Sequence, residues 1–260
     1  MFFYPQKQLI RTPKDVGINY EDVNFKSRDG MALHGWYLPA EEKAWGTVLF
    51  FHGNAENIST HLGAVYWMPA HGLNVFLFDY RGYGKSQGKT EIQGMHLDAT
   101  AALNYLKSRP DITSDNIIIF GQSLGAAIAM YTAATQEKQG ISSVVVESTF
   151  SDYRNIFREK LSSMIITWPL QWPLSFAVEN AYSPLSIVHD IQPTPILFIH
   201  GDNDITVPHH HSEQLYKAAT QPKQLWLIPD GQHTQAFGRF AATYRPRLIE
   251  YLKSVGNPNP

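Results

Sequence analysis

The stretch Ile117 to Ala127, IIIFGQSLGAA, decides the fold of this chain. It opens with four apolar residues in a row, Ile117 to Phe120, which is typical of a strand buried on both faces of a sheet. The turn Gly121-Gln122-Ser123-Leu124-Gly125 follows, and the small residues after it predict a helix. Between a strand and a helix, the pattern G-x-S-x-G holds its serine in a strained conformation with the hydroxyl exposed. Ser123 is therefore a candidate nucleophile.

The neighbours of Ser123 favour the same interpretation. Gly121 and Gly125 have no Cβ atom, so the strand and the helix can approach closely around the serine. The predicted helix begins near Leu124, and its N–H groups and positive dipole end point to the space above Ser123, where an oxyanion would form. The alternative is an ordinary glycine-rich turn, because the bare pattern occurs by chance in roughly one protein of this size in ten.

The composition fits a single folded domain spanning residues 1–260. The 260 residues suffice for one large α/β domain, and the 43% hydrophobic and 17% charged content is typical of a globular protein. The net charge of −2 and the lack of any lysine or arginine tract disfavour a nucleic-acid partner. The absence of cysteine excludes disulfides, thiolate metal sites and a cysteine nucleophile. No apolar run approaches the ~20 residues of a membrane helix, so we expect no integral membrane segment and a soluble, cytoplasmic protein.

Predicted strands and helices alternate along most of the chain. Two strands joined by an Asp29-Gly30 turn come first, and buried strands follow at 47–51, 73–78, 117–120, 143–146, 195–200 and 224–228. Helical patterns cover 58–70, 91–108, 124–135, 209–219 and 234–254. The alternation predicts an α/β fold with a mostly parallel central sheet flanked by helices, and functional loops beyond the carboxyl ends of the strands. Candidate residues at those ends are His52, Asp79, Ser123 and Glu147.

The alternation stops between about residues 150 and 183. This segment is rich in aromatic residues and is interrupted by two prolines, which predicts a short helical lid over the active-site end. Trp168 and Trp172 are candidates for lining an apolar pocket that binds an acyl chain. The alternative is that the aromatic side chains only attach the lid to the sheet.

Five short motifs follow one another in a fixed order. They are His52-Gly53-Asn54-Ala55, Asp79-Tyr80-Arg81-Gly82-Tyr83-Gly84, the Ser123 turn, the stretch from His200-Gly201-Asp202 to Val207-Pro208, and Gly231-Gln232-His233. From about Tyr20 onward the chain thereby resembles the α/β-hydrolase superfamily, and within it serine hydrolases of the prolyl-oligopeptidase and lysophospholipase types. The resemblance implies the α/β-hydrolase fold and a triad in the chain order serine, acid, histidine. Some membrane-associated relatives carry an anchor just before a segment like Phe2 to Gln6, which implies a membrane-peripheral protein if such an anchor has been trimmed here.

Candidates fill each position of this triad. A serine hydroxyl needs a base to become a nucleophile at neutral pH, and His233 is our choice because it lies on the loop between the last strand and the last helix. The acid must orient that histidine, and Asp204 fits because it follows a strand end as in the family pattern. Glu147 and Asp202 remain alternatives for the acid.

The resemblance also implies an oxyanion hole of two backbone N–H groups. One belongs to Leu124, and the other to Asn54, with Ala55 as the alternative. We expect Tyr83, in the glycine-rich loop, to touch the substrate.

The run His209-His210-His211 suggests a metal site, but three adjacent residues at a helix start cannot all face one ion. We therefore expect no metal and no cofactor, and an activity that is insensitive to chelators.

These residues predict a serine hydrolase whose partner is a small-molecule acyl ester or thioester. One alternative is a small-peptide amidase or aminopeptidase on the same triad, which would need Arg154, Arg158 or Glu179 to bind a peptide terminus. Another is a non-catalytic binding protein with a hydrolase fold. A dehalogenase is disfavoured, since that chemistry needs a carboxylate where Ser123 stands.

Overall fold

Residues 3–112, 115–162 and 168–256 of the chain are described by a computed structural model. Within these ranges the strands are β1 (Tyr4–Pro5), β2 (Glu21–Lys26), β3 (Ala32–Leu38), β4 (Gly46–Phe51), β5 (Ala55–Glu56), β6 (Leu73–Asp79), β7 (Ile117–Gln122), β8 (Ile141–Glu147), β9 (Ile196–Gly201) and β10 (Lys223–Ile228). The α-helices are α1 (Ile58–His61), α2 (Ile92–Ser108), α3 (Leu124–Thr135), α4 (Tyr153–Ser162), α5 (Gln171–Ser175), α6 (Pro184–Ile187), α7 (His210–Ala218) and α8 (Ala241–Gly256).

Eight of these strands form one sheet in the order β10-β9-β8-β7-β4-β6-β3-β2. The strands from β10 to β6 pair in parallel, whereas β3 runs antiparallel to both β6 and β2. The chain leaves β4 for β6 on one side and returns to β7 on the other, so the topology reverses between β4 and β7. This is the position where open α/β sheets place their ligand sites. The predicted α/β-hydrolase fold with its mostly parallel sheet is confirmed.

Apolar layers cover both faces of the sheet. On one face Leu49 and Ile119 belong to the same buried cluster as Leu103 of α2 and Ile128 of α3. On the other face the alternate strand residues, such as Phe50 and Phe120, pack with Leu248 and Leu252 of α8. Burial on both faces explains why the central strands have continuous apolar sequences rather than alternating ones.

Two helices differ from the prediction. The segment predicted as one helix over 58–70 contains the single turn α1 and 3₁₀ turns at Leu62–Ala64 and Pro69–His71, and Pro69 has no N–H to donate at the start of the second turn. The last helix begins at Ala241 instead of Thr234, whose φ of 51° is left-handed and incompatible with an α-helix. Between β8 and β9 the structure has α4, a 3₁₀ turn at Trp168–Leu170, α5 and α6. Residues 163–167 of the predicted lid lie outside the described residues.

The segment 3–10, which the sequence predicts to be irregular, forms what we call the N-terminal strap. Its strand β1 pairs in parallel with β5, just after the motif that follows β4. The Tyr4 N–H donates to the Asn54 carbonyl over 3.3 Å, and the Gln6 N–H donates to the Glu56 carbonyl over 3.0 Å. On the other side, the Gly84 N–H donates to the Gln6 carbonyl over 2.9 Å. The strap thus joins the loops after β4 and β6.

No helix in the described part of the chain combines the length and the apolar character required to cross a membrane.

Candidate active site

Ser123 lies in a strained turn between β7 and α3. Its φ of 54° and ψ of −119° are unfavourable for a residue with a side chain. The end of the neighbouring strand β8 holds this turn in place, since the Ser123 N–H donates to the Glu147 carbonyl over 2.9 Å. A Cβ atom on Gly125 would lie 2.2 Å from the carbonyl oxygen of Phe51, so only glycine allows α3 to pass this close to β4. The Ser123 side chain remains partly exposed.

Asp204 and His233 form a close polar pair in the site. Asp204 follows β9, His233 follows β10, and Asp204 Oδ2 lies 2.7 Å from His233 Nδ1. The other carboxylate oxygen accepts the backbone N–H groups of Thr206 and Val207 over 2.8 and 2.9 Å. Burial raises the pKa of Asp204, but hydrogen bonds from His200 and His233 outweigh it and hold that pKa well below its ordinary value. The carboxylate is therefore ionised, and it orients His233 with the proton on Nδ1.

In the described part of the chain, neither alternative acid forms a hydrogen bond or ion pair with His233. The Asp202 side chain is exposed. Glu147 is buried, and its carboxylate accepts the Gln122 side-chain amide over 2.6 Å and the Ala236 N–H over 2.9 Å. Because its carbonyl also holds the Ser123 N–H, Glu147 ties the serine turn to the histidine loop. Burial raises the pKa of Glu147 above its ordinary value.

Ser123 follows β7 and His233 follows β10, at the same edge of the sheet. The loop after β8 is also joined to the histidine loop, since the Thr234 N–H donates to Ser148 Oγ over 3.0 Å. Among the described residues, no hydrogen bond links Ser123 Oγ to the His233 imidazole. Such pairs are commonly long in the absence of substrate and tighten in the reacting complex.

The loop after β4 lies across the serine turn, with Asn54 at its centre. The Asn54 carbonyl accepts the Tyr83 hydroxyl over 2.8 Å and the Tyr4 N–H over 3.3 Å, which fixes the backbone at this position. Facing it, Leu124 is the first residue of α3, so its N–H has no acceptor within the helix. The neighbouring His52 is fully buried, and this burial lowers its pKa far enough to keep the imidazole neutral.

The structure places Tyr83 in the interior, and its expected contact with substrate stays a prediction. Its side chain is fully buried and packs against His52 and Tyr80. Its hydroxyl is directed at Asn54, so Tyr83 supports the loop after β4. Burial raises the pKa of Tyr83, so the hydroxyl remains a donor.

Of the two tryptophans of the insertion, the structure describes the side chain of Trp172 only. Trp172 on α5 is 57% exposed, and the guanidinium carbon of Arg158 lies 4.4 Å from the centre of its ring. Trp168 begins a 3₁₀ turn, but its side chain lies outside the described part of the structure. The pocket assignment of both residues stays a prediction.

Sequence reasoning missed three supports of this site: the strap, the bond from Tyr83 to Asn54, and the bridge made by Glu147. The sequence places Glu147 at a strand end, and a carboxylate that is buried there needs partners. The identity of those partners depends on which loops the sheet brings together.

The fold, the strained serine and the adjoining acid-histidine pair define the chain as a serine hydrolase of the α/β-hydrolase superfamily. Within this class, a family model described as "Serine aminopeptidase, S33" matches residues 42–192, and the chain belongs to that family.

Individual proteins are similar over almost the whole chain. The "Uncharacterized protein YfhR" of Escherichia coli is 35% identical over 99% of this chain and 88% of its own length. The "Alpha/beta hydrolase domain-containing protein WAV2" of Arabidopsis thaliana is 32% identical over 93% of this chain and 81% of its own. Among solved structures, the Pyrococcus furiosus esterase Pf2001 superposes with a TM-score of 0.79 at 25% identity, covering 98% of this chain and 100% of that one.

Proposed function

We propose that this protein hydrolyses carboxylic esters or thioesters of small molecules through an acyl-enzyme intermediate. The observation that carries the proposal is the 2.7 Å pair of Asp204 and His233 on loops beside the strained Ser123 turn. The similarity to a structure named as an esterase supports ester substrates.

In the acylation step, Ser123 Oγ attacks the acyl carbon while His233 Nε2 accepts the hydroxyl proton. Asp204 holds the tautomer with Nδ1 protonated and stabilises the imidazolium that forms. The N–H groups of Leu124 and Asn54 donate to the oxyanion, with the Ala55 N–H as the alternative to Asn54. His233 then gives its proton to the leaving alcohol or thiol.

Deacylation repeats these steps with water as the nucleophile. His233 accepts a proton from the water molecule, whose oxygen attacks the acyl carbon of the ester on Ser123. Collapse of the second tetrahedral intermediate releases the acid, and His233 returns the proton to Ser123 Oγ. The cycle needs neither a metal nor an organic cofactor.

The decisive experiment compares the wild-type protein with Ser123→Ala on p-nitrophenyl esters of graded chain length. We expect Ser123→Ala to lower kcat by about 10⁴-fold or more, and a fluorophosphonate probe to label only the wild type. Ser142→Ala, at the far end of β8, is the matched control and should retain activity and labelling. A mild loss in Ser123→Ala, or an unlabelled Ser123 in the wild type, would favour a binding protein instead.

The second candidate is a small-peptide aminopeptidase, which the name of the matching family favours. Two of the charged residues that could bind a peptide terminus already have partners within the chain. Arg154 donates to the Ser175 carbonyl over 3.1 Å, and Arg158 lies over the ring of Trp172. Glu179 is exposed. Comparing kcat/KM on esters and aminoacyl amides separates the two functions, and a preference for the amides would overturn the esterase proposal.

The acyl pocket is tested with Trp172→Ala and Trp168→Ala. If these side chains line it, each variant loses more activity on long-chain than on short-chain esters, because longer chains bury more apolar area. An equal loss on both substrates would exclude a role in binding the acyl chain.

A further inference from the structure

Three potential metal ligands meet where α4 of the insertion packs near α7. Glu159 Oε1 lies 3.2 Å from His210 Nε2, and Glu159 Oε2 lies 3.1 Å from His211 Nε2. These three ligand atoms are all within 4.8 Å of one another. One carboxylate from the insertion therefore lies against two imidazoles from the helix that follows the Asp204 loop.

The His211 ring is held in place on its opposite side. His211 is 1% exposed, and its Nδ1 lies 2.8 Å from Ser151 Oγ, which donates to the side chain of Gln214 over 2.9 Å. Metal-binding histidines usually have such a partner on the second nitrogen, because it fixes the ring and the tautomer. With its proton on Nδ1, donated to Ser151 Oγ, His211 presents a lone pair on Nε2.

The proton on the His211 ring would move to the other ring nitrogen when an ion binds. The Ser151 N–H lies 3.3 Å from His211 Nδ1, which favours the tautomer in which Nε2–H donates to Glu159. An ion at the centre would replace the hydrogen bonds to Glu159, and His211 would adopt the other tautomer.

His209 is not part of this group. Its Nδ1 lies 3.1 Å from the Asp202 carbonyl, away from Glu159. The sequence argument that three adjacent histidines cannot share one ion therefore still holds. The third ligand comes instead from a residue about 50 positions earlier in the chain, which no local pattern reveals.

We propose that Glu159, His210 and His211 bind one divalent transition-metal ion of the Zn²⁺ class, which holds α4 against α7. Two imidazoles and a carboxylate suit Zn²⁺, which takes such ligands at about 2.0–2.2 Å, better than Mg²⁺ or Ca²⁺, which prefer oxygen ligands. Glu159 and His210 are 36% and 43% exposed, so water can complete a tetrahedral set. This proposal does not depend on the proposed hydrolase activity.

The test uses the full-length chain without a polyhistidine tag. Titration calorimetry with Zn²⁺ should give one ion per chain, and Co²⁺ should give the visible absorption of a tetrahedral site. The variants Glu159→Gln and His210→Ala, both at partly exposed positions, should weaken Zn²⁺ binding by about 100-fold or more, exceeding the usual loss from an outer partner. Saturating Zn²⁺ should raise the Tm of the wild type by about 5 °C and that of these variants by much less.

His209→Ala is the matched control and should bind Zn²⁺ like the wild type. If His209→Ala weakens binding as much as His210→Ala while Glu159→Gln does not, the ion binds His209 and His210 without Glu159, and the proposal is wrong. Wild-type protein that binds no Zn²⁺ would show that the three side chains form only a hydrogen-bonded contact, which also overturns it.

Discussion

At the scale of single residues, the Asp204 carboxylate accepts several hydrogen bonds within the site. Both of its oxygens accept hydrogen bonds, from the His233 ring and from the N–H groups of Thr206 and Val207. A buried carboxylate is stable in the ionised form only with partners of this kind. The same bonds that orient His233 therefore also contribute to the stability of the fold.

This coupling predicts a pH dependence of stability for Asp204→Asn. Because the folded-state pKa of Asp204 lies below its unfolded value of 3.8, the carboxylate stabilises the fold above that pH, and the contribution is lost as the pH falls. Urea unfolding at pH 7 should show the variant to be less stable by about 2 kcal/mol. The difference should shrink towards pH 3, and a difference that grows with acidity would contradict the assignment of an ionised Asp204.

Tyr83 acts on the proposed reaction through Asn54. The variant Tyr83→Phe removes the hydroxyl that holds the Asn54 carbonyl, so the N–H groups proposed for the oxyanion hole become less well positioned. We expect kcat to fall about tenfold while KM changes little, because the interaction concerns the transition state. Steady-state kinetics on a p-nitrophenyl ester measure kcat and KM separately.

Tyr251→Phe on α8 is the control for this change. It removes a hydroxyl from another buried tyrosine on a different element and should leave kcat unchanged. A rise in KM alone for Tyr83→Phe would instead indicate that the hydroxyl contacts the substrate.

At the scale of elements, the close approach of α3 to β4 determines the geometry of the serine turn. In Gly125→Ala the new Cβ would lie 2.2 and 2.3 Å from the carbonyl oxygens of Phe51 and His52, so the backbone must move. We expect activity and fluorophosphonate labelling to fall by more than 100-fold, since a shift of about 1 Å in a catalytic group can have this effect.

Gly63→Ala is a suitable control for this variant. Nothing lies within 4 Å of a Cβ built on Gly63, so the substitution should change neither stability nor labelling. Circular dichroism shows whether Gly125→Ala folds. A folded Gly125→Ala variant with full activity would show that the turn tolerates the displacement.

At the scale of the whole molecule, the reversal of topology between β4 and β7 brings the parts of the site together. Asn54 follows β4, Ser123 follows β7, and the loops after β9 and β10 supply Asp204 and His233. All four positions lie beyond the carboxyl ends of parallel strands, which is the functional edge of such sheets. The sheet thereby positions groups that are far apart in the chain.

The shared sheet also predicts that the chain unfolds as one domain. The two apolar clusters pack on opposite faces of the same strands, so neither can lose its packing while the other stays intact. Calorimetry should therefore give a single transition whose measured and van't Hoff enthalpies agree. Two separate transitions, or an enthalpy ratio well above one, would indicate that the insertion or another part unfolds independently.

Much of this arrangement could be predicted from the sequence because its signals are local. The strained serine turn shows in a short motif, and parallel strands place Asp204 and His233 at one edge. The partners of Glu147, Tyr83 and Glu159 could not be predicted, since each contact joins segments that only the tertiary fold brings together. The direction of the Tyr83 side chain likewise depends on packing against His52 and Tyr80, which no local pattern shows.

The N-terminal strap has a practical consequence for anyone who attaches the protein to a bead or a dye. Tyr4 runs alongside Asn54, so a bulky label coupled there would lie against the loop proposed to hold the oxyanion. Gly256, by contrast, lies near Asn116, which precedes β7 at the opposite edge of the sheet. Immobilisation through the α8 end should accordingly preserve turnover, whereas the same linker at Tyr4 should depress it.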